Sequence, residues 1–507
     1  MRAALIVLLL IQFFFIAGAQ TKYTKQQLVE DLKVLKNILV HTNPILTNTG
    51  RENIEKKFTQ TIRTFPMESA TGLEFMRYIS PLKTEIRYDD HAGMMLGEEH
   101  LPPGTPYFPL PVYIIQNNML VNTEKGPLPY GSIIHGINGI KTSEILKDLA
   151  GNDGEANFRK YHLNDGFPFQ FFTKYGAKDT FTISYKTNID DTIEKQARCP
   201  AVGISELLNM QNSRIFPLNR NVEQDKINIY TQFDEPSKLC YMRVPSFLVL
   251  SPGSAATYEQ FKNVFDSLFK EIRQKSVAHL IIDIRGNGGG LIDRTGLLFS
   301  YLADSVFHEA WYLKMQRVNH IPLQHLKAID NNNVTSRVDA KKRLYRLYDG
   351  FTTTNGESKK TIELKREPNQ YSSRGKVALL TDGGTFSAAA YFAALFRLHQ
   401  RGDIIGAQVG GSIREMTAGH LLLYELPNTK IRLTIPLMYI TFDKELYPAV
   451  KEEYISPDYA IPFATEYQYF LKKQDWDRGL NIKTKNQPLS TGYFAHPFMQ
   501  KNKKLHI

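Results

Sequence analysis

Cysteine is almost missing from this chain: its 507 residues include only Cys199 and Cys240. Two thiols cannot build a cysteine-based metal site. They are compatible with one disulfide or with two buried free thiols, and their spacing does not choose between the two. Long apolar runs are also scarce, and beyond the first 19 residues none approaches the ~20 needed to span a bilayer. No G-x-x-x-x-G-K-(S/T) occurs, and the run Gly286-Asn287-Gly288-Gly289-Gly290 has Leu291 where G-x-G-x-x-G requires its last glycine. Nucleotide-phosphate chemistry therefore has no carrier. H-E-x-x-H and close His/carboxylate clusters are missing as well, so no metal and no cofactor is implied. No serine lies in G-x-S-x-G, which argues against an ordinary α/β-hydrolase elbow.

Charge is plentiful but unpatterned. Lys and Arg number 62 against 51 Asp and Glu, a net +11, yet the basic residues are spread along the chain. This predicts a basic, soluble surface and no nucleic-acid partner. With 42% hydrophobic and 22% charged residues the chain can bury substantial cores, enough for two to four domains.

Residues 1–19 read as a signal peptide, with Arg2, an apolar run and an Ala17-Gly18-Ala19 cleavage pattern. The expectation is an exported protein, periplasmic or extracellular, with no stable membrane insertion after cleavage. Residues 20–100 carry helical spacing in Leu28, Leu32, Leu35, Leu39 and in Ile54, Phe58, Ile62, Phe65, a helical N-terminal unit. The Pro-rich stretch Leu101–Pro111 marks a boundary, and 101–195 reads as a β-rich module with one short helix, KTSEILKDLA. Residues 196–465 read as an α/β core, in which strands alternate with helices from Cys240 on, a sheet covered on its faces. Within this core the polar stretch 305–375 reads as an irregular insertion. Residues 466–507 read as a basic, solvated extension.

Two segments carry the chemistry. LIIDIRGNGGG (Leu280 to Gly290) is a buried strand ending in glycines, and VALLTD (Val377 to Asp382) is a second, running through GGTF into Ser387 and an alanine-rich helix. Strand ends of this kind bring backbone N–H groups and a hydroxyl to one spot, the geometry of acyl transfer. The competing reading makes Ser387 only a helix N-cap. Asp283 and Arg285 read as a structural pair bracing the strand end.

DIRGNGGG, TFSAAAYFA, IIGAQVGG, LPNTKIRLTIP and ISPD, in that order, resemble the tail-specific (C-terminal-processing) serine peptidases, in particular their tricorn-core-like and bacterial exported branches. YGSIIHGINGIKTSEIL resembles part of a PDZ domain, which would present a sheet edge to an extended polypeptide; the alternative is a small β-barrel that only packs on its neighbour. The resemblance implies a mixed, multidomain α/β fold with a core of the crotonase-like or ClpP-like type. It implies Ser387 as nucleophile, with Gly288 and Ala388 N–H as the oxyanion hole. Lysine-dyad members place a lysine after the second glycine pair, but here that stretch, GGSIREMTAGH, has none. Tricorn-like members use a histidine in D-x-H-(A/T), matched by His91 in RYDDHAGM. A histidine titrates near neutrality and suits a general base there. The acidic third member falls on Glu452 or Glu453 in KEEYISPD, with Lys451 the other position that the register allows, while Asp89 and Asp90 read as turn caps. The function implied is an exported endopeptidase acting on extended polypeptides. The alternative is an inactive member kept as a peptide- or apolar-ligand-binding module. Oligomeric state is not encoded in any motif.

Overall fold

The computed structural model describes residues 21–46, 48–82, 89–97, 100, 104–216, 229–251, 254–354, 357–373, 375–442 and 452–473. The expected signal peptide, most of the basic extension and Lys451 lie outside the described residues. Among these residues no helix is long and apolar enough to cross a membrane. The chain divides into two compact units, and it passes between them within the strands Phe307–Gln316, Glu357–Arg366, Glu415–Glu425 and Arg432–Phe442.

The first unit gathers residues 1–106, 312–361 and 417–440. Its helices Lys25–Thr42 and Asn48–Arg63 cover the two stretches read as helical, with Leu28, Leu32, Leu35 and Leu39 buried, and a third helix, Gly72–Ile79, follows. Two capping boxes set the starts: Thr24 with Gln27, and Thr71 with Glu74, each satisfying N–H groups the first turn cannot. The short strand Gly93–Met95 pairs antiparallel with the start of Arg432–Phe442, matching Gly93 to Thr434.

The second unit holds the α/β sheet, in the order Tyr230–Asp234, Leu239–Arg243, His279–Asp283, Lys376–Thr381, Gly402–Gly406, Tyr459–Ala460. All neighbours but the first pair are parallel. The run from Leu280 to Ile282 is buried throughout, as expected of a strand covered on both faces. The crossover helix Tyr258–Gln274 opens on a Thr257/Gln260 capping box and buries Phe261, Phe265, Phe269 and Ile272, with Phe265 and Phe269 against the Tyr301 ring. His279–Asp283 and Lys376–Thr381 are in register from His279–Lys376 to Asp283–Leu380. Parallel neighbours end at the same edge, so the two glycine turns leave the sheet side by side.

An antiparallel sheet fills the same unit's first part: Val112–Ile115, Asn118–Val121, Ile133–Ile137, Thr180–Lys186, Lys195–Pro200, with Ile140–Lys141 beside the third. Its core includes Phe108, Phe167, Phe171 and Phe181. Leu163, Phe167 and Phe171 of that cluster come from a helix, Ala156–Tyr175, with Pro168 inside it.

Cys199 and Cys240 are free and buried. Burial, with Glu271 nearby, pushes the Cys240 thiol up to about 12. The stretch 305–375 departs from the irregular insertion read in the sequence. It contains two ten-residue strands, Phe307–Gln316 and Glu357–Arg366, and the helix Arg337–Leu347. Glu357–Arg366 alternates exposed and half-buried positions, so a solvated strand face with many Lys and Glu reads as loop composition.

Candidate active site

Ser387 stands at the N-cap of the helix Ala388–Leu398, yet its side chain makes no capping hydrogen bond. Its backbone sits at φ 52°, ψ −126°, a combination that costs a side-chain-bearing residue on the order of 1–3 kcal/mol and persists only where the surroundings enforce it. The N-cap reading of Ser387 therefore does not account for the residue. What enforces the conformation is a set of glycine contacts. A Cβ on Gly289 would stand 2.8 Å from Ser387 Cβ and 2.9 Å from Ala388 N, and one on Gly411 would stand 3.0 Å from Ser387 N. Phe386 N–H donates to Asn287 O at 3.0 Å, tying the serine turn to the glycine turn. The Ser387 hydroxyl lies 3.9 Å from Met416 Sδ, a weak acceptor.

The proposed oxyanion donors sit on these same turns. Ala388 is the first residue of its helix, so its N–H has no intrahelical partner, and the helix places partial positive charge there. Neither that N–H nor that of Gly288 donates to another protein group among the described residues. A Cβ at Gly288 would meet nothing within 4 Å, so space for a ligand opens on that side. The rest of the glycine turn is fixed by Asn287, fully buried, whose Oδ1 accepts from Gly289 N at 2.8 Å and whose Nδ2 donates to Val244 O at 2.9 Å. Asn287 was not singled out in the sequence, because an asparagine between glycines carries the same signal as any turn.

Asp283 closes the strand end as expected. It binds Arg285 through Nε and Nη2 at 3.1 and 2.9 Å, Arg243 Nη1 at 2.9 Å, and the Tyr241 hydroxyl at 2.6 Å. Burial pushes this carboxyl up, but the two guanidinium groups outweigh burial and hold it well below the usual carboxylate range. A depressed folded-state pKa stabilises the fold above the unfolded value of about 3.9 and ceases to do so as pH falls. Asp283→Ala, which strands two arginines, is expected to cost about 3–5 kcal/mol at pH 7. Thermal unfolding should show that deficit shrinking below about pH 4.

His91 belongs to the first unit. Asp89 Oδ1 accepts from the His91 backbone N–H at 3.1 Å and lies 3.1 Å from His91 Nδ1. Asp89 also accepts from Thr417, from its N–H at 2.7 Å and from its hydroxyl. Burial raises the Asp89 carboxyl, but His91 and the Thr417 donors prevail and hold it below the usual range. Asp89 thus caps a turn, as the sequence suggests, and in addition grips the imidazole. Glu452 and Glu453 belong to the second unit. Glu452 Oε2 accepts from Ser456 N–H at 3.2 Å, and Glu453 Oε1 accepts from the Ser412 hydroxyl at 3.4 Å.

The helix Ala156–Tyr175 reaches the serine turn with its first residues. Phe158 stacks on Phe386, centroids 3.8 Å apart, and Cβ atoms on Gly383 and Gly384 would run into Asn157 O and the Tyr161 ring. The sequence conceals this contact, since Asn164-Asp165-Gly166-Phe167-Pro168 carries turn chemistry in the middle of a helix.

Residues 238–461 match the model of Peptidase family S41. A crystal structure of mature CPAF is 14% identical, with TM-score 0.55 over 90% of this chain and 96% of that one. The complex of mature CPAF with lactacystin gives 14% and 0.55 over 89% and 97%. A mutant CPAF structure gives 15% and 0.57 over 92% and 99%. At such identity the likeness establishes a shared fold. Among curated proteins none matches the chain.

Proposed function

We propose that this chain, whose residues 238–461 match the model of Peptidase family S41, is a serine peptidase that cleaves extended polypeptides through an acyl-enzyme on Ser387, with His91 as general base. The observation that carries the reading is the strained Ser387, which makes no capping bond, on a turn hydrogen-bonded to the glycine turn, where the N–H groups of Gly288 and Ala388 donate to no protein group among the described residues. A hydroxyl that neither caps its helix nor relaxes its backbone is arranged for attack. The two amides are suited to the charge that develops on the scissile carbonyl oxygen.

The assignment of His91 is supported by Asp89. An ionised carboxylate can only accept, so it holds the proton on His91 Nδ1 and leaves Nε2 as the basic nitrogen. In this reading His91 takes the Ser387 proton as Oγ attacks and returns it to the leaving amine; water then hydrolyses the ester by the same relay. Asp89, rather than Glu452 or Glu453, orients the imidazole. Asp89→Asn is expected to lower kcat about 10³- to 10⁴-fold, as loss of the orienting carboxylate does in other triads. Steady-state hydrolysis of a denatured protein checks it, and a loss below tenfold would remove Asp89 from the relay.

The antiparallel module is proposed to hold the substrate as an added strand, in PDZ fashion. The leader-like residues 1–19 favour an exported enzyme, periplasmic or extracellular. Incubation of the folded protein with casein and a fluorophosphonate probe tests the whole. Turnover with labelling is expected. Peptide binding without either would favour a non-catalytic binding module, the reading that the missing dyad lysine otherwise supports.

A further inference from the structure

We infer that Asp382 is a positioning residue that sets the spacing between the oxyanion donors and the nucleophile, an inference that rests on the reading of Ser387 and Gly288 given above. Asp382 ends the strand Lys376–Thr381 and is half-buried between the two turns. One of its oxygens, Oδ1, accepts the N–H of Gly286 at 2.7 Å and the N–H of Gly384 at 2.9 Å, with Thr385 Oγ1 at 3.4 Å. Gly286 is two residues before Gly288, and Gly384 is three before Ser387. A single oxygen atom is therefore the common anchor of the turn that presents the oxyanion amide and the turn that presents the hydroxyl.

Three further observations make this a clamp and not an incidental turn cap. The turns touch at glycine: a Cβ on Gly384 would stand 2.8 Å from Gly286 Cα, so no side chain can wedge them apart. Thr385 doubles the link, donating from Oγ1 to Ile284 O at 3.0 Å while accepting from Asp382 N–H at 3.1 Å. Phe386 N–H to Asn287 O, at 3.0 Å, repeats it one step closer to the serine. Burial raises the Asp382 carboxyl, against the opposing pull of the Gly286 N–H and of Arg285, so the site holds it for its geometry at some cost to its charged form.

A displacement of about 1 Å at a reacting centre costs on the order of 100-fold in rate. Position and charge are separated by two substitutions. Asp382→Asn keeps an acceptor oxygen in place and removes the charge, whereas Asp382→Glu keeps the charge and moves the oxygen by one methylene. The expected result is a kcat within about tenfold of wild type for Asn and about 100-fold lower for Glu, with KM within about twofold in both. Fluorophosphonate labelling rates should follow the same order. Thermal unfolding run alongside separates a merely structural role, which would follow melting temperature rather than kcat. The inference is overturned if the Glu variant labels and turns over like wild type, or if Asn is the more damaged of the two. Wild-type protein that does not label would instead overturn the reading of Ser387.

Discussion

Ser387→Ala is expected to lower kcat on a polypeptide substrate by roughly five to six orders of magnitude while leaving the fold in place. The size follows from what the residue does. Without the hydroxyl there is no acyl-enzyme, and only the polarising amides and substrate binding remain, which in serine peptidases leave about 10³- to 10⁴-fold over water. Stability should barely change. Alanine at φ 52° bears the same backbone strain as serine and loses no capping bond, because Ser387 makes none. Thermal unfolding within about 1 kcal/mol of wild type, together with lost turnover, would separate chemistry from folding. Retained turnover would move the nucleophile elsewhere.

His91→Ala should come close to the same loss, since nucleophile and base act as a unit. The informative quantity is the double variant. If His91 serves Ser387, removing both costs little more than removing either, and kcat of the three proteins converges on one residual rate. If the two losses multiply, His91 is acting on something other than Ser387. The test needs no assumption about spacing, only rates on one substrate under one set of conditions.

Much of the core was legible because its signals are local. Leu280–Ile282 and Val377–Leu380 are unbroken apolar runs, each followed within four residues by a glycine turn, and a strand covered on both faces can hardly be written otherwise. Ser387 was legible from its place between such a strand and an alanine-rich helix. What stayed hidden depends on chain-distant partners. Asp89 carries a turn signal in sequence, and its grip on Thr417, 328 residues away, leaves no local trace. Asp382 likewise looks like the first residue of an Asp-Gly-Gly turn, since the Gly286 N–H it holds is 96 residues earlier. The helix Ala156–Tyr175 was obscured for the opposite reason. Its local signal, Gly166 and Pro168, points to a turn, and the burial of Leu163, Phe167, Phe171 and Phe172 overrides it. The strand Glu357–Arg366 was misread because a strand with one wet face has the composition of a loop.

The most direct measurement is to locate a fluorophosphonate adduct by peptide mass mapping of the folded protein. The account predicts one phosphonate on the tryptic peptide Val377–Arg397, carried by Ser387, with its rate of formation collapsing in His91→Ala. An adduct on another serine, such as Ser412, or none at all on folded wild-type protein, would contradict it.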